Sequence, residues 1–355
     1  MYGLKRGRMI MKSSKAVAIL AALLAISIGL VGKFKPTLFL THVPNFGFIL
    51  WAMTGNNMPP HFDSKAWDKD NFHKFIQPGD VVQATMAKSG SYWLQQIVHL
   101  LKNNGTDDYE YIHDGWGNLD ILSYPGQTID DRIATESRKR RPGVPMSWFT
   151  HEPPHHYGLN PRSHPEIKYI VTARNGKEVL KSFHPFINGL TKEFKDRWGG
   201  FSPPVSKEDV VERFALKTPN FFLGHIKSWW PYRKEPNVLM LHYANLKSNP
   251  RHEISRIADF LNITIAADVM EQVLEKSSFS YMKRNSHRYS FLMGKEGDKY
   301  LAFNEGTHIN SGKADGGQEF FTPAMNDMWE TAIKIHWNDA DPEMVKWVHS
   351  GGSLP

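Results

Sequence analysis

Four apolar runs alternate with helical segments along the middle of the chain. They cover residues 80–86, 146–151, 167–173 and 237–242, and most of their positions are Val, Ile, Leu, Met or aromatic residues. Short apolar runs that are each followed by an amphipathic segment are typical of parallel strands buried on both faces of a sheet. The pattern therefore predicts an α/β fold, in which one central parallel sheet is flanked by helices.

The first run leads into a loop of small residues that carries one lysine. This loop, Ala87–Ser91, contains Lys88 and is followed by the amphipathic segment Leu94–Leu101. Unpaired backbone amides at the start of a helix bind phosphate or sulfate, and a lysine supplies the counter-charge. The loop lacks the two glycines, four residues apart, that a Walker motif places before its lysine. We therefore predict an anion site of another type.

The segment Thr85–Trp93 resembles the phosphosulfate loop of the cytosolic-type sulfotransferase family, usually TYPKSGTTW. Ile167–Phe183 and Asn237–Leu261 resemble two further family segments, and Met146–Pro154 resembles a third. The resemblance implies a P-loop-like domain that uses 3'-phosphoadenosine 5'-phosphosulfate (PAPS) as sulfuryl donor. It assigns the binding of this nucleotide to Lys88, Ser89, Gly90, Ser91, Tyr92, Trp93, Arg174, Ser182, Tyr243, Ser277, Asn310, Ser311, Gly312 and Lys313.

Arg174 follows the third strand run, at the carboxyl edge where ligands of open parallel sheets bind. Its guanidinium can grip a phosphate with two bonds, and Ser182 would add a hydroxyl. The resemblance implies that both residues contact the 3'-phosphate and that Trp93 and Tyr243 lie beside the adenine. A purely structural alternative pairs Arg174 with Glu178 and leaves Ser182 to solvent.

His151 ends the second apolar run. Sulfuryl transfer to an alcohol requires a base, and the ordinary pKa of histidine suits that role near neutral pH. We therefore predict His151 as the base and Lys88 as the group that stabilises the leaving phosphate, although a lone histidine here is commonly structural. No metal is expected, because Pro153 and Pro154 prevent a helix from presenting His151 together with His155 and His156.

Two family features are altered. Tyr92 stands where the family usually has a threonine that contacts phosphate, so this hydroxyl is relocated or lost. Asn310 and Ser311 replace an Arg-Lys pair that normally caps the 3'-phosphate, and we expect Lys313 to take over part of this task. Pro323 alters the family's dimer motif, so a homodimer is only one option. The residues from Phe291 to Gly317 are predicted to be irregular.

The net charge of the 355-residue chain is +7, but this excess lies at the amino terminus. Residues 1–62 contain seven Lys or Arg and no Asp or Glu. The basic charge therefore gives no reason to expect nucleic-acid binding by the catalytic domain. Since the chain has no cysteine, it forms no disulfide.

Ala16–Gly32 has no charged residue and reaches about the minimum length of a membrane span. Five basic residues precede it, which favours a cytoplasmic amino terminus and a type II signal anchor, with the domain in the lumen of the ER or Golgi. Secretion after cleavage of a signal peptide, or a domain facing the cytoplasm, are the alternatives. The expected parts are a basic terminus with the anchor, a juxtamembrane linker, the sulfotransferase domain and a tail, at residues 1–35, 36–74, 75–338 and 339–355.

The acceptor is expected to be a sterol, a phenol or another small alcohol, and a glycan is an alternative. Six residues line an apolar pocket or belong to the core in this prediction: Met146, Trp148, Phe149, Phe183, Phe186 and Phe194. Two other functions stay open. One is a P-loop kinase for a small molecule, and the other is a catalytically impaired relative that only binds nucleotide.

Overall fold

The structure is a computed structural model, and it describes residues 72–118, 120, 123–124, 127–155, 158–197, 205–217, 223–312, 314, 317 and 319–355. Nearly all of them belong to one compact unit, made of Phe62–Ser123, Gln127–Phe194 and Pro203–Pro355. The predicted anchor, nearly all of the predicted linker, and Lys313 lie outside the described residues. Within the described part, no helix has the length and apolar character needed to cross a bilayer.

The unit is built around a five-stranded sheet with the strand order β2-β3-β1-β4-β5, and every neighbouring pair is parallel. The prediction of an α/β fold with a central parallel sheet is confirmed. Strand β1 lies in the middle and is buried along its whole length. The strands are Val81–Thr85 (β1), Trp116–Asn118 (β2), Ser147–Thr150 (β3), Lys168–Ala173 (β4) and Val238–His242 (β5).

Helices connect the strands and follow the last of them. Up to β5 they are Phe72–Phe75 (α1), Ser91–Lys102 (α2), Ile129–Ser137 (α3), Gly176–Asn188 (α4), Lys192–Arg197 (α5), Lys207–Val211 (α6) and Leu223–Trp229 (α7). After β5 they are Tyr243–Ser248 (α8), Pro250–Leu261 (α9), Ala267–Lys276 (α10), Phe279–Arg284 (α11), Pro323–His336 (α12) and Pro342–Ser350 (α13). A π-helical turn, Glu212–Lys217, continues α6, and 3-10 turns cover Ile112–Gly115, Trp230–Tyr232 and Ser286–Tyr289.

Helix α2 is held in place by its apolar face. Leu94, Ile97 and Val98 are fully buried in a core cluster that also contains Ile254 and Ile257 of α9. Burial of a large apolar side chain contributes about 1.5–3 kcal/mol, so several such contacts make the position of α2 rigid. Because α2 begins directly after the lysine loop, this packing also determines where the loop lies.

The carboxyl ends of four strands meet at one edge of the sheet. Strand β1 is followed by the lysine loop, β3 by His151, β4 by Arg174 and β5 by Tyr243. Parallel strands necessarily bring such residues to one edge, although they are far apart in sequence.

The prediction of an irregular segment from Phe291 to Gly317 is wrong in its first part. Leu292–Lys295 (β6) and Asp298–Leu301 (β7) form an antiparallel hairpin, which Glu296 and Gly297 close. Gly297 has φ 79° at this turn, a conformation in which glycine carries no steric cost. The short strands and the few apolar residues hid the hairpin from the sequence pattern.

Candidate active site

The lysine loop turns sharply between β1 and α2. Lys88 has φ 62° and Gly90 has φ 94°, and the amide of Ser89 donates to the carbonyl of Met86 at 3.1 Å. The first helical bond of α2 runs from the amide of Leu94 to Gly90 O, and no side chain caps the helix start. The amides of the three preceding residues, Ser91, Tyr92 and Trp93, therefore stand at the positive end of the helix dipole, where an anion binds well.

Two buried polar atoms of this segment have no hydrogen-bond partner within the described part of the chain. They are the hydroxyl of Ser89 and the indole nitrogen of Trp93. An unpaired buried group costs about 1–3 kcal/mol, so such atoms at the mouth of an anion site are typical of residues that a ligand completes. Ser91 is satisfied internally, because its hydroxyl shares a 2.8 Å hydrogen bond with that of Thr85.

Tyr243 and Trp93 meet over Gly90. The two rings are perpendicular with centroids 5.5 Å apart, and a methyl group on Gly90 would lie 3.1 Å from the Tyr243 ring. The guanidinium of Arg174 lies over the Tyr243 ring, 4.1 Å from its centroid. The structure thus joins three sequence-predicted nucleotide residues, Trp93, Arg174 and Tyr243, directly beside the loop.

Gly90→Ala is expected to destabilise the protein more than Gly143→Ala. Both glycines have positive φ, which costs an alanine about 1–2 kcal/mol, but a methyl at Gly143 meets nothing within 4 Å. At Gly90 the contact with Tyr243 adds about 1 kcal/mol or more. Denaturant unfolding of the two variants measures the difference, and equal losses would show that the loop and Tyr243 are not tightly packed.

The ammonium group of Lys88 lies in an apolar environment. Its ammonium lies 4.2 Å from the ring centroid of Phe186 on α4. Burial lowers the pKa of Lys88 to about 7, and the positive charge of Arg174 acts in the same direction. Such a lysine gains from a nearby anion, because the anion stabilises the charged form.

Arg174 is nearly buried, and its polar contacts include a carboxylate of α4 and a backbone carbonyl of the lysine loop. Its Nε donates to Glu178 at 2.8 Å, as in the structural alternative, and its Nη1 donates to the carbonyl of Lys88 at 3.1 Å. Ser182 lies on the same helix as Glu178, two turns after Arg174, and is half-buried. The guanidinium is therefore tied both to α4 and to the lysine loop.

The remaining predicted nucleotide residues lie on two other segments. Ser277 is buried at the end of α10, and the neighbouring Lys276 carbonyl accepts a bond from Gln96 of α2 at 3.2 Å. Asn310 and Ser311 are exposed, and Gly312 has φ 61°.

Two lysines that the sequence prediction missed hold the segment around Asn310. Lys247 of α8 donates to Gly312 O at 2.6 Å, and Lys283 of α11 donates to Ile309 O at 2.7 Å. Neither lysine has a sequence signature, because both bond to backbone carbonyls far along the chain. They bring positive charge to the place where the family's Arg-Lys pair is missing.

His151 is oriented by the backbone of β1. Its Nδ1 donates to the carbonyl of Thr85 at 2.7 Å, which leaves the lone pair on Nε2. Burial lowers the pKa of His151 to about 4, against the Thr85 hydrogen bond, and the charge of Lys88 lowers it further. The imidazole is therefore neutral at physiological pH and lies within the electrostatic range of Lys88.

Asp120 supports the same histidine and was missed by the sequence prediction. One carboxylate oxygen accepts from the amide of His151 at 2.8 Å and the other from the hydroxyl of Thr150 at 2.5 Å. Burial raises the pKa of Asp120 to about 8, and Glu152 adds to this shift. No motif surrounds Asp120 in the sequence, so only its position beside the end of β3 reveals it.

The Tyr92 side chain contacts two histidines and a tyrosine. Its hydroxyl shares a 2.9 Å hydrogen bond with Nε2 of His113, and its ring contacts His308 and Tyr289. The Tyr92 hydroxyl, which stands where the family usually has a threonine hydroxyl, is thus hydrogen-bonded to His113, while the Tyr92 amide remains at the start of α2.

Of the predicted aromatic set, Phe149 and Phe186 reach the site. Phe149 contacts His151 with centroids 4.9 Å apart, and Phe186 lies under Lys88. Trp148 points elsewhere, because its indole donates to Asp80 at the amino end of β1 at 2.7 Å. Within the described residues, no group of three or more His, Cys, Asp or Glu is placed to hold a metal ion.

Residues 78–346 match the sulfotransferase domain family. The chain therefore belongs to this family, and the prediction of an enzyme of the PAPS-dependent sulfotransferase class is confirmed. Sulfotransferase 1B1 of Mus musculus is 34% identical over 216 residues, which cover 59% of this chain and 67% of the mouse protein. Sulfotransferase 1B1 of Canis lupus familiaris is 28% identical over 279 residues, 76% of this chain and 86% of the dog protein.

Solved structures share the fold. A retinol dehydratase in complex with androsterone and the inactive cofactor PAP has a TM-score of 0.58 and 22% identity, and the match covers 78% of this chain and 87% of that one. Mouse sulfotransferase SULT7A1, complexed with PAP, has a TM-score of 0.55 and 17% identity, over 77% and 89% of the two chains.

Proposed function

We propose that this protein transfers the sulfuryl group of PAPS to a hydroxyl of a small molecule, a sterol, a phenol or another small alcohol. The observation that carries this proposal is the presence of a half-buried lysine and an oriented neutral histidine at one sheet edge. Lys88 lies in an anion-binding loop, and the His151 tautomer is determined by Thr85 O. The solved structures of a retinol dehydratase and of mouse sulfotransferase SULT7A1, which both contain PAP, support the choice of donor.

The residues around the loop suit a nucleotide with phosphates at two positions. The start of α2, together with Ser89 and Lys88, would hold the 5'-phosphosulfate. Trp93 and Tyr243 would lie against the adenine, and the unpaired Trp93 indole nitrogen offers one donor to the ligand. Arg174 and Ser182 would bind the 3'-phosphate, and Ser277 would approach the same nucleotide.

The transfer step requires one proton to move and one bond to sulfur to be exchanged. Nε2 of His151 would take the proton of the acceptor hydroxyl while the oxygen bonds to sulfur. The bond between sulfur and the bridging phosphate oxygen breaks, and PAP leaves with the negative charge. Lys88 would stabilise this charge, so positioning and electrostatics supply the rate as in phosphoryl transfer.

Arg174→Lys is expected to weaken the binding of PAP by about tenfold or more and that of 5'-AMP by much less. Lysine keeps the charge but loses the planar fork, and a bond to a charged group contributes about 1.5–3 kcal/mol. Isothermal titration with the two nucleotides measures this, because only PAP carries a 3'-phosphate. Equal losses would mean that Arg174 stabilises the loop through Lys88 O and does not bind the 3'-phosphate.

The same pair of nucleotides tests the altered phosphate cap. We propose that Lys313 contributes to 3'-phosphate binding beside Asn310, Ser311 and Gly312, since charge is missing there. Lys313→Ala should then lower the affinity for PAP more than the affinity for 5'-AMP. Lys346→Ala, on α13, is the control and should not change the two affinities differently.

The function itself is tested by incubating the full chain with radiolabelled PAPS and a panel of sterols, phenols, flavonoids and sugars. Sulfation of sterols or phenols supports the proposal, and sulfation restricted to sugars favours the glycan alternative. PAP binding without transfer to any acceptor would identify a catalytically impaired relative. Magnesium-dependent transfer from ATP would instead show a kinase.

We also propose a type II membrane topology, with the domain in the lumen of the ER or Golgi. The uncharged segment Ala16–Gly32 and its basic flank support this setting. Protease protection in microsomes decides it, because a domain that is digested without detergent faces the cytoplasm. A homodimer stays a prediction, which light scattering would test.

A further inference from the structure

A continuous series of ring contacts joins the two residues to which we assign the transfer step. It begins at the ammonium of Lys88 and ends at the imidazole of His151. We call these side chains the aromatic arc. In order they are Lys88, Phe186, His308, Tyr92, His113, Phe149 and His151.

The first half of the arc runs from the lysine to Tyr92. The Lys88 ammonium lies 4.2 Å from the Phe186 centroid, and Phe186 lies 5.5 Å from the ring of His308. His308 in turn lies 4.5 Å from the ring of Tyr92. Phe303 stacks on Phe186 at 4.3 Å and supports this half from one side.

The second half runs from Tyr92 to the histidine. The rings of Tyr92 and His113 are 5.2 Å apart, those of His113 and Phe149 are 6.3 Å apart, and those of Phe149 and His151 are 4.9 Å apart. The charge of Lys88 lowers the pKa values of both His308 and His151, so both imidazoles lie within the electrostatic range of this lysine. The ring contacts therefore connect Lys88 with His151, the two residues between which an acceptor hydroxyl has to meet the donor in the proposed transfer.

The arc is aromatic but carries unpaired polar atoms. Nδ1 of His113 and Nε2 of His308 are buried, and neither has a hydrogen-bond partner within the described part of the chain. The Tyr92 hydroxyl forms a hydrogen bond with Nε2 of His113. Burial raises the pKa of Tyr92, so the hydroxyl keeps its proton. If it donates this proton to Nε2, then Nδ1 of His113 is an N–H donor without an acceptor.

Both histidines are uncharged. Burial lowers the pKa of His113 to about 3 and that of His308 well below its usual value. A neutral imidazole binds a hydroxyl or a carbonyl, whereas it gives no ion pair to a carboxylate or an ammonium. A ligand without a polar group at this position would leave both nitrogens unpaired. The free-energy cost of the unpaired nitrogens strongly disfavours such a ligand relative to one that bonds to them.

We propose that the acceptor of this protein is a ring-containing alcohol with a second, neutral hydrogen-bonding group, and that His113 and His308 bind this second group while the reacting hydroxyl faces His151. The inference rests on the proposed function, whose acceptor site it describes. It narrows the acceptor class from sterols and phenols in general to those with a carbonyl or a second hydroxyl. The competing explanation of the two unpaired nitrogens is that bound water forms their hydrogen bonds.

The test compares phenols that differ in one polar atom. The probes are para-alkylphenols and their ketone analogues of equal length, in which the carbonyl lies one to four carbons from the ring. Affinity is measured by titration calorimetry on the full-length protein saturated with PAP, so that the readout does not require turnover. We expect at least one ketone to bind about tenfold or more tightly than its alkyl analogue, the effect of one well-placed hydrogen bond.

Variants of His113 and His308 test whether the preference for the ketone comes from these two residues of the aromatic arc. His308→Phe and His113→Phe keep a ring in place and remove the nitrogens, so one or both should reduce the preference for the ketone to about twofold or less. His308→Gln and His113→Gln, which keep hydrogen-bonding groups, should retain part of it. The exposed His252 on α9 provides the control, and His252→Phe should leave the preference intact.

Either of two results would overturn the inference. One is the absence of a ketone preference at any chain length, as expected if water satisfies the nitrogens. The other is a preference that persists in both Phe variants, provided that thermal melting with PAP shows them to be folded. Sulfation of the alkylphenols, assayed separately with PAPS as donor, distinguishes this failure from that of the proposed function, because it requires the transfer reaction but not the nitrogens of His113 and His308.

Discussion

His151→Ala is expected to lower kcat by about 100- to 10,000-fold while the affinity for PAP changes little. The proton is removed only as sulfur is transferred, so the loss of the base affects the transition state and not the bound nucleotide. Initial rates at saturating donor and acceptor measure kcat, and titration calorimetry measures PAP binding. Retention of more than about a tenth of the wild-type rate, against the usual size of such effects, would exclude His151 as the base.

The pH profile gives a second readout for His151. Since burial lowers the pKa of His151 to about 4, the neutral form persists far below the ordinary histidine pKa. The base should be fully available at neutral pH and should be lost only as the pH falls through about 4. An acid limb of kcat/KM near pH 8 that disappears in Asp120→Asn, without loss of folding, would show instead that ionisation of Asp120 controls the site.

Lys88→Met is expected to reduce both PAP affinity and kcat. Methionine keeps most of the apolar contact with Phe186 and removes the charge. A charge-assisted contact contributes about 1.5–3 kcal/mol, so PAP affinity should fall by about 10- to 100-fold. The loss in kcat should be at least as large, because the leaving phosphate gains charge during transfer. An unchanged kcat would show that Lys88 contributes to nucleotide binding but not to the transfer step.

We also expect the binding of PAP to be coupled to the protonation of Lys88. Its pKa of about 7 in the free protein means that the ammonium is present below pH 7 and is lost above it. A polyanion binds the charged form and raises the pKa, so PAP binding at pH 8 should take up a proton and should weaken as the pH rises. Titrations in buffers of different ionisation enthalpy measure this uptake, which Lys88→Met should abolish.

The larger part of the sheet could be predicted because its strands leave a strong local signal. The apolar run at 80–86 contains the whole of β1, and the small residues after it mark the loop. Strand β2, Trp116–Asn118, has only three residues and no such run, so its place in the sheet depends on pairing with β3. Local patterns report burial along a run but not which distant segment pairs with it.

The candidate site divides in the same way. Arg174 and Tyr243 each follow a strand directly and Lys88 lies in the loop that follows β1, so strand order alone brings them to one edge. Asp120 and Thr85 act on His151 through a backbone amide and a backbone carbonyl, which every residue possesses. Such contacts depend on tertiary structure, and no residue type in the sequence announces them.

The anchor of the His151 imidazole is a main-chain atom, and this has a consequence for how the protein tolerates mutation. No substitution at position 85 removes a carbonyl oxygen, so the tautomer of His151 is protected against every single amino-acid change there. A change such as Thr85→Val deletes the hydroxyl that bonds to Ser91 and lies 3.4 Å from Nδ1 of His151, but it leaves the carbonyl in place. Genetic variation in β1 can therefore alter the packing of the loop while the proton arrangement of the base is inherited unchanged.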